Sequence, residues 1–292
     1  MAGALTVTPA LLRESPLPEA TGGKEGRGRT LVIGGSAETP GGVLLAAEAT
    51  LRCGAGKLQV ATAASVAAVL AVALPEAMVR GLSETGTGAI SAAGAERLRD
   101  LREGVGCVLI GPGLADIEES ATLTAAIVRD LDAPVVLDAL ALAAVTAEVN
   151  CVRHLTERVV LTPNPDELAQ CLREDGGWVA ESPDRAASRL AADTGAVVSV
   201  GGEVVWTAAP DGRMWRDDGG SQGLGVSGAG DVRAGLVAGL LARGADAVTA
   251  ALWGGHLHAR AGERLTARLG PLGFLARELP AEVPGLLVEL AH

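Results

Sequence analysis

The chain has 292 residues, 48% apolar but only 2% aromatic, with a formal net charge of −11. That length supplies ample core without disulfide or metal staples, and the core must be built from Leu, Val and Ala. The acidic balance argues against a nucleic-acid partner and against docking on an anionic membrane, both of which select a basic face.

Residues 1–29 read as a leader segment, interrupted by Pro9, Pro16 and Pro18 and glycine-rich and basic over 21–29. From Thr30 onward short β-rich runs alternate with helical ones. Strands are predicted at 31–34, 58–61, 77–81, 107–110, 135–138, 159–162 and 197–200. Helices are predicted near 41–53, 64–73, 91–103, 118–131, 140–148, 165–173 and 182–193. Near-continuous apolar strands such as Val135, Val136 and Leu137 suit a sheet buried on both faces, and alternation with helices makes it largely parallel. After Val200 the pattern changes: 203–207, a turn at Pro210, Asp211 and Gly212, then 213–216 predict an antiparallel hairpin. Helices follow at 230–243 and 245–265, with a short proline-punctuated helical tail. No internal repeat or dividing linker is evident, so 30–292 is read as one α/β domain: a doubly wound, mostly parallel sheet with helices on both faces and a late hairpin.

Cys53, Cys107, Cys151 and Cys171 are widely spaced and form no C-x-x-C, which predicts free thiols in a reducing cytoplasm. No run reaches the ~18 apolar residues of a membrane span, and no secretory signal pattern opens the chain. The expected location is cytoplasmic. His256 and His258, at i and i+2, do not share a helix face and do not read as a metal pair.

The stretch richest in chemical meaning is Gly228-Ala229-Gly230-Asp231, which leads into the apolar run Val232, Leu236, Val237, Leu240 and Leu241. Glycines at a helix mouth let the backbone approach an anion, and the free first-turn N–H groups favour negative charge there. An aspartate in that loop adds an acceptor able to orient or deprotonate a hydroxyl. Ligands of doubly wound sheets sit beyond the carboxyl ends of the strands. Gly34-Gly35-Ser36, Gly111-Pro112-Gly113, Asp138 and Thr162-Pro163-Asn164-Pro165 all fall at such ends.

These motifs, with Pro40-Gly41-Gly42, Gly54-Ala55-Gly56 and Asp166-Glu167, occur in one order that resembles the ADP/ATP-dependent NAD(P)H-hydrate dehydratases, which have a carbohydrate-kinase-like domain of the ribokinase-like fold. The resemblance runs from about Lys24 to the end of the chain. It implies phosphorylation of the hydroxyl of hydrated NADH or NADPH by ADP or ATP, followed by loss of phosphate to restore the ring. It further implies Mg²⁺ bridging the nucleotide phosphates, a homo-oligomer (a tetramer), and an epimerase as a separate protein. By the same resemblance Asp231 contacts the substrate hydroxyl as base or orienter. Gly228, Ala229 and Gly230 hold the migrating phosphoryl group by their amides, with Gly230 touching the nucleotide. Gly42, Gly113 and Asn164 line the substrate pocket, and Val200, Gly201, Gly202, Glu203 and Val204 hold the adenine nucleotide.

The chain departs from the family pattern at several points. Asn164 stands where the family carries histidine, and Asp166 where it carries glycine. Val200 replaces a lysine, and Leu140 replaces the second aspartate after the fifth strand. Asn164, Pro165 and Glu167 also form a capping-box pattern that needs no ligand. Arg233 stands where an aliphatic residue is common; its helical spacing points it away from Asp231 and suggests a surface or interface position. A small-molecule kinase of the same fold and a nucleotide-binding paralogue with little activity are the competing readings. A dinucleotide dehydrogenase is disfavoured, because no G-x-G-x-x-G follows the first strand.

Overall fold

The computed structural model describes residues 3–19 and 21–291; residues 1, 2 and 20 of the expected leader, and residue 292, lie outside the described residues. Ten strands form one sheet in the order β1-β10-β9-β8-β7-β6-β5-β2-β3-β4. In chain order, β1 is Leu5–Thr6, followed by helix α1, Pro9–Glu14. Strand β2 is Arg29–Ile33, and Pro40–Arg52 forms α2. Strands β3, β4 and β5 are Lys57–Ala63, Ala77–Leu82 and Cys107–Ile110. Strands β6 and β7 are Val135–Leu137 and Val159–Leu161. Helices α3, Pro165–Leu172, and α4, Pro183–Thr194, precede β8, Val197–Val200. Strands β9 and β10 are Val205–Ala208 and Met214–Asp217. Helices α5, Ala229–Ala242, α6, Ala247–Leu269, and α7, Leu279–Ala291, complete the described chain.

The strands from β2 to β8 are mutually parallel, so their carboxyl ends share one edge. The predicted hairpin is β9 with β10, and β9 also runs antiparallel to β8. Side chains alternate between two cores at the strand period of two. Val32, Leu109, Val136 and Val160 face the layer of α2, α5 and α6, whereas Ile33, Ile110, Leu137 and Leu161 face the layer of α4. Chain order reverses between β2 and β5, which opens a crevice at their carboxyl ends.

The segment before Thr30 takes part in this packing. Leu5 and Thr6 pair with Trp215 and Arg216, and Leu12 is buried. Trp253 Nε1 donates to the Ser15 carbonyl (2.9 Å) and Arg243 Nη2 to that of Pro18 (3.1 Å).

Helix α5 is the centre of its layer. From Val232 to Ala242 every residue is buried, so it has no solvent face. It approaches α2 through Gly235 and Gly239. A Cβ on Gly235 would meet the Ala46 carbonyl and stand 2.8 Å from the Ala46 Cα; one on Gly239 would stand 2.6 Å from the Thr50 carbonyl oxygen. Thr50 Oγ1 closes the contact by donating to the Gly235 carbonyl at 3.1 Å. Overpacking such a joint costs about 1–3 kcal/mol, more than the ~1 kcal/mol of helix propensity that alanine adds over glycine. Gly235→Ala should therefore lower stability in a denaturant titration; an unchanged or raised midpoint would show that α2 can yield.

Candidate active site at the carboxyl edge of the sheet

The loops leaving the strands are stitched by backbone hydrogen bonds. Gly35 N donates to Pro112 O (2.8 Å), Gly111 N to Ile33 O (3.0 Å) and Asp138 N to Ile110 O (3.0 Å). Thr162 N donates to Leu137 O (3.1 Å) and Gly201 N to Pro163 O (2.9 Å). These bonds fix the residues named from sequence relative to one another.

Gly42 and Gly113 meet directly, since a Cβ on Gly42 would lie 2.7 Å from Gly113 N. Gly113 has φ +69° and its carbonyl accepts Thr39 Oγ1 at 2.8 Å. Gly42, in the first turn of α2, and Gly113 are thus demanded by the contact of that turn with the loop after β5 at the chain reversal. Asn164 is the N-cap of α3: its side chain accepts from Glu167 N (2.9 Å) while Glu167 Oε2 accepts from Asn164 N (2.8 Å). The capping box occupies the Asn164 carbonyl oxygen and leaves its amide group for other work.

Gly228 begins α5 in the left-handed region at φ +89°, and no side chain caps the helix. Beyond Gly228, Ala229 is buried, Gly230 exposed and Asp231 half-buried. Gly230 is unlike its neighbour: its φ is ordinary for a helix, and a Cβ there would meet nothing within 4 Å. Neither backbone strain nor packing explains a glycine that costs a helix ~1 kcal/mol. The space over it is open to a visitor.

Three carboxyls converge beside that opening. Asp138, buried at the end of β6, accepts Thr162 Oγ1 at 2.7 Å. Burial, then the charges of Asp231 and Glu167, push its pKa up to about 8 against the pull of Thr162 and Arg233. Burial, then Glu167, raise Asp231 to about 6. Burial also raises Glu167, while its hydrogen bond from the Asn164 backbone and the Arg233 charge oppose the rise. Several raised carboxyls at one cleft are a pattern of sites that handle protons or bind cations.

Arg233 departs from expectation. It is buried, with Nη2 donating to the carbonyls of Thr162 (3.0 Å) and Pro163 (3.3 Å), instead of lying on the surface. Helical spacing separates wet from dry positions only on a helix with a wet side, and α5 has none over this stretch. One arginine in an otherwise apolar and small-residue run was the signal available. Across the sheet, the Val200 side chain sits in the core on the α4 side, so this position turns only main chain toward the edge. Gly202 and Glu203 are exposed, and Gly201 and Val204 half-buried. On α6, His256 Nδ1 pairs with Asp217 at 2.8 Å, and burial, then Arg233, push His258 down to about 3.

Glycine-led helix mouth, acidic first turn and chain reversal define the class as ribokinase-like α/β, and comparison agrees. A ribokinase-like superfamily protein of Enterococcus faecalis superposes with a TM-score of 0.81 at 21% identity, covering 100% of this chain and 98% of its own. The chain belongs to the NAD(P)H-hydrate dehydratase family, whose model matches residues 30–284. It is 47% identical over 285 residues to the ADP-dependent (S)-NAD(P)H-hydrate dehydratase of Xanthomonas campestris pv. campestris, covering 98% of this chain and 96% of that one. The ADP/ATP-dependent NAD(P)H-hydrate dehydratase of Bacillus subtilis, co-crystallised with ATP and Mg²⁺, matches with a TM-score of 0.83 and 27% identity over 99% of this chain and 100% of its own.

Asp138→Asn tests the electrostatics. Asparagine keeps an acceptor for Thr162 but cannot ionise. Because the folded pKa lies above the unfolded one, ionising Asp138 destabilises the native state progressively from about pH 4 to about pH 8. The stability advantage of the variant should grow by up to about 1.4 kcal/mol per pH unit across that window. A pH-independent difference in denaturant midpoints would mean that this carboxyl is not desolvated.

Proposed function

We propose that the chain is an ADP- or ATP-dependent NAD(P)H-hydrate dehydratase that phosphorylates the ring hydroxyl of hydrated NADH or NADPH and releases phosphate. The observation that carries the reading is the open space over Gly230, beside the half-buried carboxyl of Asp231 and a helix start that no side chain caps. The first-turn N–H groups of a helix have no partner within it, and they favour an anion there.

In this reading the Asp231 carboxylate accepts or orients the proton of the substrate hydroxyl, whose oxygen attacks the terminal phosphorus of the nucleotide. The bond from phosphorus to its bridging oxygen breaks, leaving AMP from ADP or ADP from ATP. The amides of Gly228 and Gly230 take up charge on the migrating group, while that of Ala229, expected to join them, donates to the Val226 carbonyl at 3.2 Å. The C–O bond of the new ester then breaks, pushed by the ring nitrogen lone pair, and loss of a proton restores the ring double bond. Hydroxide leaves poorly and phosphate leaves well, which is why the nucleotide is spent. Gly42, Gly113 and the free amide of Asn164 line the substrate side. The backbone from Val200 through Gly201, Gly202 and Glu203 to Val204 lines the nucleotide side.

Mg²⁺ supplies charge neutralisation on the nucleotide phosphates. Among the described residues no three His, Cys, Asp or Glu side chains are grouped to hold a metal alone. Glu167, half-buried and with one oxygen committed to Asn164 N, offers a hard oxygen donor of the kind such an ion takes beside phosphate. A homo-oligomer, with a tetramer as the expected form, belongs to the same reading. Its support is the apolar surface of Val69, Val72 and Met78, exposed beside edge strand β4. Among the described residues no helix is long and apolar enough to cross a membrane, and a cytoplasmic location is part of the proposal.

Asp231→Asn should abolish phosphate release and recovery of dihydronicotinamide absorbance while nucleotide binding persists. Turnover equal to the parent would remove Asp231 from the mechanism. In the parent, kcat/KM should rise with pH through about 6, where Asp231 becomes the carboxylate, and then level off. A flat profile across that range would exclude this group as the base. A stable phosphate ester in place of inorganic phosphate would identify a small-molecule kinase instead.

A further inference from the structure

Arg233 is the one buried Lys or Arg among the described residues. Its hydrogen-bonding capacity is only partly used. Nη2 reaches the Thr162 and Pro163 carbonyls, whereas Nη1 is buried without an acceptor. No carboxylate of a described residue lies within ion-pair distance, although Asp138 and Glu167 are close enough for their fields to favour the cation. Keeping a charge out of water without a direct counter-ion is expensive, and a neutral donor would serve the two carbonyls as well. The position therefore asks for an anion.

The guanidinium lies against Gly201. A Cβ there would stand 2.7 Å from Nη1 and 2.8 Å from Cζ and Nη2. Gly201 has no left-handed backbone to explain its identity, so the arginine is what excludes a side chain. Gly201 N donates to the same Pro163 carbonyl that Nη2 reaches, which makes one joint between the loops after β7 and β8. The charge thus lies just beneath a side-chain-free stretch, Gly201 and Gly202, and Gly202 is exposed.

We propose that Arg233 is a positioning residue for the nucleotide phosphates, fixing the segments 162–167 and 200–204 to each other from beneath Gly201 and giving that edge its buried positive charge. The inference rests on the reading of 200–204 as the nucleotide segment. Groups facing the guanidinium are Asp138 from β6, Glu167 from α3 and His258 from α6.

The test compares binding of ADP and of uncharged adenosine by calorimetry in the parent, Arg233→Leu and Arg233→Lys. Arg233→Leu should weaken ADP on the order of tenfold or more, the scale of an interaction with a charged group, and leave adenosine unchanged. Arg233→Lys should recover part of the loss, and the KM for ADP should rise more than kcat falls. Equal weakening of ADP and adenosine, or no weakening, would overturn the proposal by reducing Arg233 to packing. Should Arg233→Leu fail to fold, Arg233→Gln keeps a donor for the Thr162 and Pro163 carbonyls without the charge and should produce the same ADP-selective loss; ADP affinity equal to the parent would overturn the proposal. A parent that binds no ADP would defeat the nucleotide-segment reading itself, whereas parental ADP binding untouched by both variants would defeat only the role of Arg233.

Discussion

The close approach of α5 to α2 is the constraint on which the site depends. Gly235 and Gly239 let two backbones come within a distance that any side chain would prevent, and Thr50 locks the joint. That contact buries α5 from Val232 onward and points its first turn at the carboxyl edge of the sheet. Gly228, Gly230 and Asp231 are held there by a helix with little freedom to tilt, because packed interiors leave few voids to move into. The groups at the mouth of α5 owe their placement to a contact far along the same helix.

Electrostatics at this edge are deliberately unbalanced. Asp138, Glu167 and Asp231 each resist ionisation, first because they are buried. Burial pulls the Arg233 pKa down, the charges of Asp138 and Glu167 oppose that fall, and yet it forms no ion pair with either. Stability alone would favour apolar replacements for such an arrangement. On the proposed function, a nucleotide polyphosphate with its cation would relieve both halves. The same logic accounts for Gly230, a helix glycine that no protein contact requires.

Much of this was legible in the sequence. Apolar strands of three to five residues alternating with helical runs gave the parallel sheet, because burial on both faces leaves no other pattern for β2, β5, β6 and β7. The capping box of Asn164 and Glu167 and the turn at Asp211 and Gly212 are local chemistry and appear as read. Gly42 and Gly113 were visible as glycines, but not as partners, since 71 positions separate them and only the fold brings them together. Arg233 was misread for a related reason. Periodicity tells which side of a helix is wet only when a helix has a wet side, and α5, enclosed by α2, α6 and the sheet, has none beyond its first turn.

The sequence by itself determined the order of elements, the glycine-rich loops at the strand ends and the acid at the mouth of α5, because these follow from short-range sterics, capping and hydrophobic period. Tertiary structure alone decided how the edge is charged. Whether Asp138 is wet or dry, whether Val200 turns to the ligand or to the core, and whether Arg233 meets solvent or Gly201 depend on how distant segments exclude water. Desolvation is a property of packed surroundings, and no window of neighbouring residues contains it.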